Sequence, residues 1–228
     1  MIGLLGGMSW ESTAEYYRLA NELVRERRGG LHSARLLVHS VDFAQIADLQ
    51  KQGRWDDAGD ILAAAAKGLE AAGAETVLIC TNTMHKVADR VQSAVSVPLL
   101  HIGDVTAAAV TAAGLSRVGL LGTRFTMEQP FLRERLEGHG LEVLVPEAED
   151  RDEVHRVIFD ELCQGIALED SRAGYRAILA RLAERGAQGV VLGCTEIELL
   201  VGPQDSPVPL FPTTRLHIQA AVEAALEG

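Results

Sequence analysis

The chain repeats itself. Ile2–Gly6 reads IGLLG and Val118–Gly122 reads VGLLG. A longer segment, Ala72–Thr81, returns with the same spacing as Arg185–Cys194. Each copy of that segment follows an alanine-rich stretch, 61–71 or 175–183, and precedes a valine-proline pair, Val97-Pro98-Leu99-Leu100 or Val208-Pro209-Leu210-Phe211. Short apolar runs ending in glycine have the pattern of buried parallel strands. Alternating with helical stretches, they predict a parallel sheet with helices on both faces and right-handed crossovers. Written twice, the pattern predicts two similar α/β half-domains of roughly a hundred residues each, related by a pseudo-twofold axis. The expected division is 1–100 plus 210–228 for the first half and 101–209 for the second. Halves of that size leave little room for a deep pocket of their own. The expected site is therefore a shared cleft, lined by the carboxyl ends of strands.

Composition narrows the function classes. An apolar fraction of 47% in 228 residues excludes a disordered chain. No uncharged apolar run reaches the roughly 20 residues of a membrane span. A formal charge of −11 argues against nucleic acid, which demands clustered Lys and Arg. Three cysteines, Cys80, Cys163 and Cys194, cannot all pair, and their wide spacing fits a reduced, cytoplasmic protein. The opening MIGLLGGMSW has no basic flank and reads as a first strand, not a signal peptide. A further strand is expected at Ala34–Val38 and helix over 151–183. The acidic run Glu147, Glu149, Asp150, Asp152, Glu153 reads as a solvated loop and helix start.

Chemistry concentrates at two strand ends, Cys80-Thr81-Asn82-Thr83-Met84-His85-Lys86 and Gly193-Cys194-Thr195-Glu196. Each places small hydroxyl, amide or thiol residues where a strand turns into a helix, a position that favours an anion. There Cys194 is expected to have a lowered thiol pKa and to serve as a base near neutrality. Asn82, Thr83 and Thr195 would hold a substrate carboxylate. Thr123, after the VGLLG strand, is either a ligand contact or a plain helix cap. A cysteine behind a buried strand is also commonly a small core residue. Cys80, His85 and Cys194 could be metal ligands, but no C-x-x-C or H-x-x-x-H spacing supports a metal. Neither G-x-G-x-x-G nor a Walker sequence occurs, and nothing in the pattern suggests a lysine-bound cofactor. Gly6-Gly7-Met8-Ser9 reads as a turn whose backbone can approach a small ligand closely.

GGMSWEST, CTNTMHK and GCTEIELL, in that order and at these separations, resemble the aspartate/glutamate racemase family. The resemblance covers nearly the whole chain. It implies two similar α/β domains, no pyridoxal phosphate or metal, and an amino-acid substrate. It also implies two residues facing each other across the substrate Cα, one removing and one returning the α-proton. Most members use two cysteines, in C-N-T and G-C-T elements. Here the C-N-T element departs: aligning Asn82-Thr83 puts Thr81 in the first position. The internal repeat agrees, since Gly73 leads to Thr81 as Gly186 leads to Cys194. Cys80, one residue earlier, would face the other side of the strand unless a bulge intervenes. The expected catalytic pair is Thr81 and Cys194, as in a branch of the family that prefers L-amino acids. The resemblance also implies a homodimer.

Members selective for aspartate carry an arginine and a lysine where this chain has Ile46 and Cys163. The bidentate clamp on a side-chain carboxylate is then missing. Either Gln50, Lys86 or Arg124 reads the side chain, or the pocket accepts neutral amino acids. Met8 and Gln50 are expected to line it, against loop packing and an exposed helix position. His85 reads as a cap or a support for a neighbour, with a base as the alternative, and Lys86 as solvated. Rival readings are a malonate decarboxylase or maleate isomerase-like enzyme on the same scaffold, or a non-catalytic amino-acid-binding module.

Overall fold

A computed structural model describes residues 1–227. The chain divides into two compact units, Met1–Ile102 with Thr214–Gly228, and Gly103–Thr213.

In the first unit, β1 (Ile2–Gly6) runs into α1 (Trp10–Arg28), followed by β2 (Leu36–Ser40), α2 (Phe43–Lys51), α3 (Trp55–Ala71) and β3 (Thr76–Ile79). A 3-10 turn, Thr83–Val87, leads into the short α4 (Ala88–Gln92), and α5 (Ile102–Ala112) takes the chain into the second unit. In the second unit, β4 (Arg117–Leu121), α6 (Arg124–Glu128), α7 (Pro130–Gly138), β5 (Glu142–Leu144), α8 (Ala148–Asp160) and α9 (Glu169–Glu184) precede β6 (Gly189–Leu192). The one-turn α10 (Ile197–Leu200) and β7 (Leu210–Pro212) follow, and α11 (Thr213–Glu227) carries the chain back into the first unit.

Every ladder is parallel. The first sheet has the order β2-β1-β3 and the second β5-β4-β6-β7. The two orders are one pattern: β1 and β4 are central, and the strands bearing the long repeat pair beside them. They differ at the valine-proline segments. Val208–Phe211 yields the strand β7 paired to β6, whereas Val97–Leu100 contributes only the bridge Val77–Leu99. The expected boundary at 209/210 would place Leu210–Pro212 in the first half. Its pairing with β6 places it in the second. The strand expected at Ala34–Val38 lies two residues later, because Ile2 pairs with Leu36. Helix over 151–183 is broken, with Leu162–Gln164 forming a 3-10 turn that Gly165 ends at φ 73°. The acidic run starts α8 and is tied down by arginines: Asp150 pairs with Arg181 at 2.6 Å and Asp152 with Arg124 at 2.6 Å.

Strand alternation sorts side chains onto the two faces of the first sheet. Leu5, Val77 and Ile79 join Leu62, Ala66 and Met84 under α3, while Leu4, Leu78 and Cys80 join Tyr16, Ile218 and Val222 between α1 and α11. In the second unit, Leu121, Val190 and Leu192 pack with Val157, Tyr175 and Leu179 of α8 and α9. Each fully buried Leu, Ile, Val or Met side chain among these contributes roughly 1.5–3 kcal/mol. No helix among the described residues is long and apolar enough to cross a membrane.

Candidate functional site

The end of β3 is built from three directions. Cys80 N–H donates to Leu5 O (2.9 Å), so the ladder to β1 continues one residue past the strand. Ser12 Oγ, in the first turn of α1, donates to Cys80 O at 3.1 Å. His85 Nδ1 lies 2.8 Å from Thr81 O. Ser12 is placed by the GGMSWEST segment. Ser9 caps α1 by accepting from Ser12 N–H, and Thr13 Oγ1 accepts from Gly7 N–H (2.8 Å) while donating to Ser9 O (2.9 Å). Gly7 has φ +88°, and a Cβ there would stand 2.2 Å from Val41 O. The close approach expected of this turn is thus to the chain's own backbone at the end of β2.

Cys80 is fully buried and continues the alternation of Leu78 onto the α1/α11 face. Burial alone pushes its thiol pKa well up. Thr81, next along, is half-buried. Asn82 is buried, and Thr83 opens the 3-10 turn. Gln50 is half-buried on α2 and donates through Nε2 to Met84 Sδ at 3.1 Å, which ties it to the same turn. Met8 is buried among Leu5, Ile46 and Leu49, a packing position. Ile46 is fully buried in that same cluster. Lys86 is exposed, its Nζ 4.0 Å from the centre of the Trp55 ring.

The end of β6 repeats this geometry in the second unit. Gly193 N–H donates to Leu121 O (2.6 Å), the counterpart of Cys80 N–H to Leu5 O. A Cβ on Gly193 would meet Thr126 Cγ2 at 2.9 Å and Leu121 O at 3.0 Å, so this position faces inward as Cys80 does. Cys194 is the next residue and is half-buried, with Thr195 beside it. Thr81 and Cys194 therefore stand in one relation to β3 and β6, two residues beyond each strand. Thr123, just past β4, occupies the N-cap position of α6. Its hydroxyl makes no cap bond and instead lies 3.3 Å from Thr126 Oγ1. Arg124 pairs with Asp152, and Cys163 is exposed.

The thiol of Cys194 does not have the lowered pKa expected of it. It is pushed well up, first by burial and then by the Glu196 carboxylate, whose Oε2 accepts from Sγ at 2.9 Å. The anticipated helix field is weak because α10 is a single turn, too short to sum peptide dipoles appreciably. Glu196 is the site residue that sequence reasoning passed over. Its signal was its place two residues after the thiol in G-C-T-E. Among the described residues no group of three or more His, Cys, Asp or Glu is placed to hold a metal ion. Of the ligands weighed from sequence, His85 has both ring nitrogens on backbone groups, Thr81 O and Ile102 N, and Cys80 is sealed in the core.

Two parallel α/β units built on one strand pattern, each ending its repeated strand in a small thiol or hydroxyl side chain, define a duplicated α/β architecture. The sequence pattern of Asp/Glu/hydantoin racemases matches residues 5–221, and the chain belongs to that family. A Yersinia pestis protein of known crystal structure, described as a candidate Asp/Glu racemase, is 52% identical. That alignment covers 99% of this chain and 98% of that one, with a TM-score of 0.95. An aspartate racemase homologue from Pyrococcus horikoshii OT3 is 37% identical over 99% of this chain and 98% of that one, with a TM-score of 0.90. The broad specificity amino-acid racemase RacX of Bacillus subtilis is 21% identical over 99% of this chain and 98% of its own length.

Proposed function

We propose that the protein racemises free amino acids without pyridoxal phosphate, aspartate and glutamate among them. Thr81 and Cys194 exchange the α-proton from opposite faces of one carbon. The observation that carries this reading is the equivalence of the two strand ends: Thr81 and Cys194 occupy one position in the repeat, and the residue before each faces inward.

The hydrogen bond from Cys194 to Glu196 supplies the missing base. Glu196 Oε2 takes the thiol proton, the thiolate removes the substrate α-proton, and the Thr81 hydroxyl gives its proton to the opposite face of the carbanion; solvent then returns a proton to Thr81 as Glu196 releases its own. A threonine hydroxyl is a weaker base than a thiolate, so the direction that starts from Cys194 is the faster in proton abstraction. Backbone N–H groups following Thr81 and Cys194, with Asn82, Thr83 and Thr195, stabilise the charge that develops on the substrate carboxylate. At the aspartate-reading positions this chain has a core residue, Ile46, and a neutral one, Cys163, while Lys86 and Arg124 already have partners. That pattern supports a pocket that accepts more than acidic side chains.

The test is α-proton exchange in heavy water across L- and D-amino acids. Exchange is expected for several, falling about 100- to 10,000-fold in Cys194→Ser. Undiminished exchange in that variant overturns the assignment. Turnover of malonates or maleate with no amino-acid exchange supports the decarboxylase or isomerase alternative, and tight amino-acid binding without exchange supports a binding module.

A further inference from the structure

Beneath Thr81 lies a cluster of buried histidines that the proposed chemistry does not use. His85, His101 and His217 are each less than a tenth exposed. The His85 ring centre is 4.7 Å from that of His101 and 5.6 Å from that of His217, both edge-on. His217 Nε2 lies 2.7 Å from Leu100 O, and its Nδ1 lies 2.8 Å from the hydroxyl of the fully buried Tyr16.

The partners of His85 fix its tautomer. Ile102 N–H reaches Nε2 at 3.2 Å, and a backbone N–H can only donate, so Nε2 carries no proton. Thr81 O lies 2.8 Å from Nδ1, and a carbonyl can only accept, so Nδ1 carries the proton and donates. Both needs are met by one neutral form. The ring is a rigid strut. It takes its bearing from the first residue of α5 and applies it to the carbonyl of the residue proposed to act on the substrate. With Ser12 on Cys80 O, two successive carbonyls at the strand end are pinned by side chains from different elements.

We propose that His85 is a positioning residue for Thr81, acting as the neutral Nδ1–H tautomer held by Ile102. The inference rests on the reading of Thr81 as one of the two proton-exchanging residues. Removing the strut lets the turn rotate. A displacement of about 1 Å at a reacting group lowers rate by up to about 100-fold without weakening substrate binding comparably. The effect should fall on one enantiomer, because Cys194 sits on a different strand end with its own partner, Glu196.

Four proteins test it in heavy water: wild type, Thr81→Val, His85→Gln and His85→Asn. The asparagine amide can place an N–H where Nδ1 stands, and the glutamine amide reaches only the Nε2 position. Thr81→Val is expected to remove exchange from one enantiomer. His85→Gln is expected to lower kcat for that same enantiomer roughly 10- to 100-fold with little change in KM, and His85→Asn to restore most of it. Nitrogen-15 spectra of the wild-type rings supply a readout that needs no variant to fold: His85 should be neutral and protonated on Nδ1 at pH 7. A protonated Nε2 overturns the proposal. So does a folded His85→Gln protein that exchanges both enantiomers at the wild-type rate while Thr81→Val does not. If Thr81→Val itself leaves both rates intact, the Thr81 reading falls and the inference with it.

Discussion

Cys80 and Thr81 are neighbours with opposite surroundings, and two thiols of this chain share a direction of pKa shift for different reasons. Cys80 is raised by burial alone. Cys194 is raised by burial and by a carboxylate that can also relieve it of its proton. Only Cys163 is exposed. Since the thiolate is the reactive form, alkylation of the native protein near pH 7.5 should mark Cys163 first and Cys194 slowly, and leave Cys80 untouched until the chain unfolds. Mass spectrometry of labelled peptides checks this order, and early labelling of Cys80 would reopen its claim to the catalytic position. Cys80→Ala should retain racemisation and lose roughly 1–2 kcal/mol of stability from the small void left in the core. That Cys80 faces the core and Thr81 does not could be read from sequence, because a repeat carries register and register decides which face a side chain takes. The raised pKa of Cys194 could not. It depends on burial and on which way Glu196 turns out of a single helical turn, neither of which residue order determines.

The same reasoning separates glycines that elements require from glycines they tolerate. Gly7 links β1 to α1 at φ +88°, with space for no Cβ because Val41 O would lie 2.2 Å away. That oxygen and Val41 N, 2.7 Å from the same point, are backbone atoms that cannot swing aside. Gly7→Ala should lose at least about 2 kcal/mol and draw down the α1 cap that orients Ser12. Gly174, inside α9, has no atom within 4 Å of its virtual Cβ and an ordinary backbone, so Gly174→Ala should gain about 0.5–1 kcal/mol. Urea titration measures both, as opposite shifts of the midpoint at constant slope. At this scale the repeat forecast too much symmetry. Val97-Pro98 and Val208-Pro209 promise equal strands, and both begin alike, with Val77 N–H donating to Pro98 O and Val190 N–H to Pro209 O. The first then stops because Leu100 O is claimed by His217 Nε2 from α11, a contact 117 residues away in sequence. The second runs on to Pro212. Local pattern specifies a strand's start; a distant side chain here ends it.

Across the whole chain, titratable groups are divided unevenly between the two units, and the division sets which unit weakens first in acid. The first unit holds His85, depressed well below the usual imidazole value, and His217, lowered to about 4, both chiefly by burial. As pH falls through the ordinary value of 6.5, the unfolded chain takes up protons that the native histidines refuse. Their stabilisation is therefore complete above that value and declines below it, by about 1.4 kcal/mol per pH unit for each, until the native rings titrate. The second unit depends on Asp205, lowered first by Gly202 N–H and then by Arg176, and on Glu153, lowered by Arg156. Carboxylates depressed in this way keep their contribution above the ordinary carboxylate range and lose it only as pH drops through lower values. His155, lowered by burial and by Arg124, shifts in the same direction as the two core histidines but is partly exposed, which screens its contribution. Between pH 7 and pH 5, amide exchange corrected for intrinsic rate should therefore quicken in β3 and α11 while β6 and α9 hold their protection. Unchanged protection of β3 and α11 over that range would show that the buried histidines accept protons in the native protein, and that the neutral ring assigned to His85 is not maintained.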